Sequence, residues 1–201
     1  MLQRSISGRH FALLACALLS FTGLPFPAGT TAAAARLDDV EMPETLQFEG
    51  VPLRLNGMGM RDYSLFHVHI YAAGLYLEQP SSDWQAILHS EGAKLLVIRF
   101  VHDVTATQAR DAWAKGFKTN CQEPCRLRGE DVTNFLAQVP DFRRGDESTM
   151  LFARHTAQIA VNGRVMGTVT DGDLARTILA TFIGADPPTQ MLKRGLLGLP
   201  D

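Results

Sequence analysis

The sequence predicts an α+β domain in which an antiparallel sheet is covered by helices. Three observations carry this expectation. Runs with a period of two in apolar residues lie toward both ends of the body of the chain. Runs with helical spacing are grouped between and after them, the order expected when helices segregate to one face of an antiparallel sheet. The pair Asn162-Gly163 joins two alternating runs late in the chain. That pair is a strong hairpin signal, because both central residues of the turn need positive φ.

The first residues set the compartment. Met1 to His10 carries Arg4 and Arg9 and no acid, and Phe11 to Phe26 is mostly apolar. A run of small residues, Thr30 to Ala35, precedes the polar Arg36-Leu37-Asp38-Asp39. Basic, apolar and small-residue regions in this order make a secretory signal peptide. Gly23, Pro25 and Pro27 interrupt the apolar run, which is also short for a membrane span. Residues 1–35 are therefore expected to be a removed leader and residues 36–201 the domain, with cleavage near Ala35. The mature chain has about 166 residues, one domain's worth. No later segment is apolar for long enough to span a bilayer.

Thr45-Leu46-Gln47-Phe48 and Val51-Pro52-Leu53-Arg54-Leu55 alternate around Glu49-Gly50 and predict a short hairpin. Asn56-Gly57-Met58-Gly59-Met60 then reads as a glycine-bearing turn. Leu65 to Leu77 reads as one long strand, its parity placing His67, His69, Tyr71 and Ala73 on one face and Val68, Ile70, Ala72 and Gly74 on the other. Ser81-Ser82-Asp83 starts a helix through His89. Ala93 to Val101 is a strand. Thr105 to Lys118 is an amphipathic helix with Ala109, Trp113, Gly116 and Phe117 at helical spacing, and Glu130 to Gln138 is another. Strands are expected at Glu147 to Ala153, Thr156 to Val161 and Arg164 to Val169. Asp171 caps a helix through Phe182. Pro187-Pro188 ends that region before a last short helix carrying Met191, Leu192 and Leu196.

Charge and motifs exclude several functions. The chain carries a net charge of -2; loss of the two leader arginines makes the mature form more acidic, and no basic cluster survives, so nucleic acid is not expected as a partner. No glycine-rich phosphate loop, Ser-His-Asp arrangement or zinc spacing occurs, and no cofactor is expected. Cys121 and Cys125 are the two cysteines left after the leader. Their spacing suits a small disulfide in an oxidising compartment, and a metal site would need further ligands. His67 and His69 form a His-x-His pair on a strand, but no third metal ligand is evident; they read as strand histidines that sit where they can make binding at a cleft mouth pH-dependent.

Three segments together resemble a known family. They are Asn56-Gly57-Met58-Gly59-Met60-Arg61 with Ile70 to Leu77, then Ile159 to Thr168, then Ala175 to Gly184. Their order and spacing, within about Met42 to Leu197, resemble the chalcone-isomerase-like family. The resemblance implies an open-faced β-sandwich with helices over a ligand cleft. That family includes flavonoid-ring isomerases, fatty-acid-binding members and exported bacterial relatives of unsettled role. Arg61 matches the isomerases' arginine, and Thr181 matches their late hydroxyl residue. Tyr71 stands where they have threonine, and Ala109 and Gly116 fall at their helix tyrosine and asparagine. Much of the isomerase's polar apparatus is thus missing, whereas the Arg61 and Tyr71 pair resembles the carboxylate-holding pair of the fatty-acid-binding members.

Taken together, the sequence points to non-catalytic binding of a fatty acid or similar small hydrophobic acid. The expected site is Arg61, Tyr71, Thr181 and His69. A guanidinium offers two parallel donors to a carboxylate and a phenol adds a third. The alternatives are an isomerase or lyase acting through Arg61, and a structural or partner-binding module whose cleft is filled by its own side chains. Taken without the family, Arg61 reads as a surface arginine and Tyr71 as a core tyrosine with its hydroxyl at the rim. Ten residues along a straight strand would separate them by ~33 Å, so cooperation requires Arg61 to lie on a neighbouring strand or a folded-back loop. The sequence assigns no oligomeric state.

Overall fold

The strands of the main sheet neighbour one another in space in their chain order, so each pairs antiparallel with the one before it. The computed structural model describes residues 33–63 and 68–200. A hairpin of β1 (Ala34–Leu37) and β2 (Val40–Pro43) comes first. The main sheet is β3 (Thr45–Phe48), β4 (Val51–Tyr63), β5 (Val68–Leu77), β6 (Lys94–Phe100), β7 (Glu147–Ala153), β8 (Thr156–Val161) and β9 (Arg164–Val169). Helix α1 (Trp84–His89) lies between β5 and β6, and α2 (Ala106–Asn120) and α3 (Gly129–Ala137) lie between β6 and β7. Helices α4 (Gly172–Ile183) and α5 (Gln190–Leu196) follow β9. The fold is the expected antiparallel sheet covered by helices.

Local chemistry explains most element ends. Asp83 caps α1 by accepting from the amides of Gln85 and Ala86. Thr105 and Gln108 form a capping box on α2. Asp171 accepts from the Leu174 amide at 2.8 Å to cap α4. Asn162 and Gly163 have φ of 49° and 76°, the positive values that a two-residue hairpin requires. Cys121 and Cys125 are joined by a disulfide, with their Cα atoms 5.3 Å apart.

The sheet has two buried faces. On one, Ala73, Leu75, Ile98 and Met150 pack against Phe117, Leu174, Ile178 and Leu192 of the helices. On the other, the β1–β2 hairpin brings Val40 and Met42 onto Leu53, Met60, Ala72, Tyr76 and Val97. The Tyr76 hydroxyl donates to the Pro43 carbonyl at 3.0 Å, tying this hairpin to the sheet. Parity along β5 holds from Tyr71 to Leu77: odd positions meet the helices and even ones the hairpin.

One expected element changes, and two features were not expected. Asn56 to Met60 is not a turn: it lies inside the thirteen-residue strand β4. Its glycines serve close packing. A Cβ on Gly57 would stand 2.1 Å from the carbonyl oxygen of Gly195, and one on Gly59 would stand 2.4 Å from that of Leu192. Only backbone without side chains lets α5 lie this close to β4. Ala34 and Ala35, beside the expected cleavage site, are in β1, paired with Pro43 and Met42. Residues 1–32, which hold the rest of the expected leader, lie outside the described residues, as do Leu65, Phe66 and His67 of the expected long strand. Finally, β1 and β2 themselves had no counterpart in the sequence reading.

Candidate functional site

Two bulges decide which side chains of β4 and β5 face the helices. Leu55 pairs with Tyr76 but Gly57 pairs with Leu75, so Asn56 is the extra residue on β4. Its side chain holds the bulge in place, donating to the carbonyls of Ser81 at 3.0 Å and Leu196 at 2.8 Å. It also accepts from the Ser81 amide at 2.7 Å. Arg61 pairs with Tyr71 but Asp62 pairs with His69, so Ile70 is extra on β5. Bulges of this kind re-aim side chains.

Arg61 and Tyr71 are therefore direct cross-strand partners, the arrangement in which side chains on neighbouring strands interact. Arg61 lies on a neighbouring strand, as cooperation required. Its guanidinium donates to the Asp62 carbonyl. Tyr71 packs against the helix-side core, with its ring edge-on to Phe100 at 5.7 Å. Burial pushes its phenol well above the ordinary tyrosine range, and the Arg61 charge offsets part of that rise. The Tyr71 hydroxyl has no hydrogen-bond partner among the described residues, yet it is not sealed from contact.

The other two expected site residues lie elsewhere. The second bulge moves His69 out of the Tyr71 face. Its Nδ1 meets the buried Asp62 carboxylate at 2.7 Å, and its Nε2 lies 3.7 Å from Asp38 in the β1–β2 turn. His69 thus belongs to the hairpin-covered side. Thr181 is buried in the contact between α2 and α4. Its hydroxyl donates to the Thr177 carbonyl at 3.0 Å. A Cβ on Gly116 would stand 2.5 Å from its methyl group, so these two positions touch and leave no space between them.

A cleft of about 490 Å³ opens between α3 and the β7–β9 end of the sheet, closed at its sides by Trp113 and Leu174. Its apolar wall includes Phe135, Phe142, Met150, Ile159 and Met166. Asp131 and Asp171 are its charged lining residues among the described residues, none of which brings a lysine, arginine or histidine to the lining. Both carboxylates approach Arg128 Nε, at 2.6 and 3.4 Å. Arg61, Tyr71 and Phe100 are not among the residues that line this cleft; Phe142, which is, stacks on Phe100 at 4.2 Å, and Phe100 in turn meets the Tyr71 ring. The sequence reading missed this lining. Asp131 and Asp171 look like ordinary first-turn and cap residues of helices, and the apolar residues look like any core.

An antiparallel sheet with helices roofing a lateral cleft defines an α+β open-faced sandwich. Residues 34–198 match the family model described as chalcone isomerase-like, and the chain belongs to that family. Among solved structures, it is similar to the crystal structure of a fatty-acid binding protein from Arabidopsis thaliana, with a TM-score of 0.68 and 15% sequence identity over 82% of this chain and 96% of that one. At that identity the likeness is one of fold. No curated protein matches the chain significantly.

Proposed function

We propose that this protein binds a fatty acid or a similar small hydrophobic acid without turning it over. The carboxylate is held by Arg61 and the Tyr71 hydroxyl, and the chain runs past Phe100 and Phe142 into the cleft. The observation that carries this reading is the cross-strand register of Arg61 and Tyr71, which puts a cation beside a phenol whose hydroxyl has no hydrogen-bond partner among the described residues. The cleft volume of about 490 Å³ falls in the usual range of small-molecule sites. The fold likeness to a fatty-acid binding protein adds support.

Electrostatics gives the ligand a direction. With Asp131 and Asp171 at the cleft, their charge only partly offset by Arg128, and no basic side chain among the described residues lining it, an anionic head group is disfavoured there. Arg61, beyond the Phe142–Phe100 pair, is the cation that receives it. The head therefore lies inward and the tail outward. An open cleft disfavours a module filled by its own side chains. The tight Gly116–Thr181 contact disfavours the isomerase alternative, because two positions that match its polar residues pack on each other.

Export belongs to the same proposal, in line with the exported bacterial branch of the family. The order of basic, apolar and small residues over residues 1–35 supports it, and the Cys121–Cys125 disulfide suits an oxidising compartment. Cleavage near Ala35, at the end of the small-residue run, is part of the proposal. N-terminal sequencing of protein recovered from the periplasm tests this; a chain that still begins at Met1 sinks it.

The binding test is calorimetric titration with decanoic acid. The wild type binds it stoichiometrically. Arg61→Ala weakens binding by roughly 1.5–3 kcal/mol, the range for a hydrogen bond to a charged group. Equal affinities for the two proteins remove the proposal.

A further inference from the structure

Several polar side chains line the cleft, Asp131, Asn134, Gln138, Thr168, Thr170 and Asp171 among them, but these are exposed or half-buried, and Ser148 is the buried polar residue of the lining. Ser148 lies on β7, on the helix-facing side with Met150, and is 2% exposed. It lines the cleft. Its hydroxyl makes no hydrogen bond to any described residue, yet its oxygen is not fully enclosed by protein. Such a hydroxyl is left to water while the cleft is open, and to a polar atom of the occupant once that water is displaced. A plain hydrocarbon chain laid over it strips it of water and gives nothing back.

We infer that the cleft takes an oxygenated acyl chain, a hydroxy or oxo fatty acid, whose chain oxygen hydrogen-bonds to Ser148. This deepens the binding reading above and rests on it. The sheet register sets where the oxygen falls. Tyr71 pairs with Phe100 on β6, and Ser148 pairs with Ile98, two residues further along that strand. Ser148 is thus two strands across and two residues along from Tyr71. With strands ~4.8 Å apart and a rise of ~3.3 Å per residue, the separation is roughly 12 Å. An extended chain advances about 1.25 Å per carbon from its bond length and angle. The oxygen is then expected about nine or ten carbons from the carboxyl, not beside it.

The acids to compare are decanoic acid, ω-hydroxydecanoic acid and β-hydroxydecanoic acid, titrated calorimetrically into wild type and Ser148→Ala. Wild type is expected to prefer the ω-hydroxy acid over the other two by about tenfold, the worth of one hydrogen bond made instead of left open. Ser148→Ala abolishes that preference while keeping or tightening the binding of decanoic acid. Equal wild-type affinities for all three acids overturn the Ser148 inference and leave the fatty-acid reading intact, with no need of the variant. A preference that survives in Ser148→Ala also overturns it. Absence of binding by every acid removes both readings.

Discussion

Replacing Tyr71 by phenylalanine removes a single oxygen and separates a binding role from a packing role. In the free protein this oxygen has no partner among the described residues, while the ring packs on Phe100 and the core. Phenylalanine keeps the ring contacts. The stability of the free protein is therefore expected to stay within ~0.5 kcal/mol of wild type, in the range of substitutions that remove no interaction. For a protein of this size that is a shift of no more than about 2 °C in Tm. In the proposed complex the hydroxyl donates to a carboxylate, a bond worth roughly 1.5–3 kcal/mol, so affinity for decanoic acid should fall about 10- to 150-fold. Because burial holds the phenol above its ordinary range, it stays a neutral donor at neutral and mildly alkaline pH. The loss should then be constant from about pH 6 to pH 9, and binding by both proteins should weaken as the ligand carboxyl protonates near pH ~4–5. Thermal unfolding and calorimetric titration measure the two effects separately. A large drop in Tm with unchanged affinity would make Tyr71 a structural residue and refute the reasoning.

Other expectations follow from the same structure. Burial raises the Tyr76 phenol to about 12, so the folded state keeps a proton that the unfolded chain releases near pH 10; stability is full below pH 10 and declines toward pH 12 by about 2 kcal/mol. Tyr76→Phe should flatten this alkaline limb in urea titrations at each pH, and an unchanged slope rejects the assignment. Thiol labelling of denatured, unreduced protein should find neither Cys121 nor Cys125 free. Replacing both by serine should cost no more than ~2 kcal/mol, because the loop they close is short. With a hydroxylated chalcone as substrate, steady-state assay should give no turnover above the buffer rate; a fast, Arg61-dependent rate would reinstate the isomerase alternative.

Most of the fold was legible because its signals are local. The strands at Glu147–Ala153, Thr156–Val161 and Arg164–Val169 follow from alternation and from Asn162-Gly163. Helices α1 and α4 follow from their aspartate caps. Less legible were features that depend on distant partners. The turn at Arg154-His155 has positive φ at both residues without any glycine, held by strands that pair on either side. Gly57 and Gly59 looked like turn residues because the sequence shows only that side chains are absent there. The need for that absence comes from α5, about 135 residues later in the chain. The β1–β2 hairpin was hidden because its first residues continue the alanine run that reads as the end of a leader, and its covering role appears only when Met42 meets the far face of the sheet.

The site shows the same division more sharply. In a regular strand Leu53 and Arg61 share parity and would share a face. The Asn56 bulge breaks that rule: Leu53 stays in the hairpin-side core, while Arg61 comes into register with Tyr71 on the helix side. The Ile70 bulge does the reverse on β5, removing His69 from the face it would share with Tyr71 and giving it to Asp62. Each bulge adds one residue and leaves the apolar pattern on either side intact, so periodicity alone cannot reveal it. What fixes the first is Asn56 bonding to Ser81 and Leu196, groups 25 and 140 residues away. The composition of the candidate site is therefore set by contacts far from it in sequence: the amide of Asn56 holds the bulge that turns the cation toward the phenol, the arrangement on which the proposed carboxylate site depends.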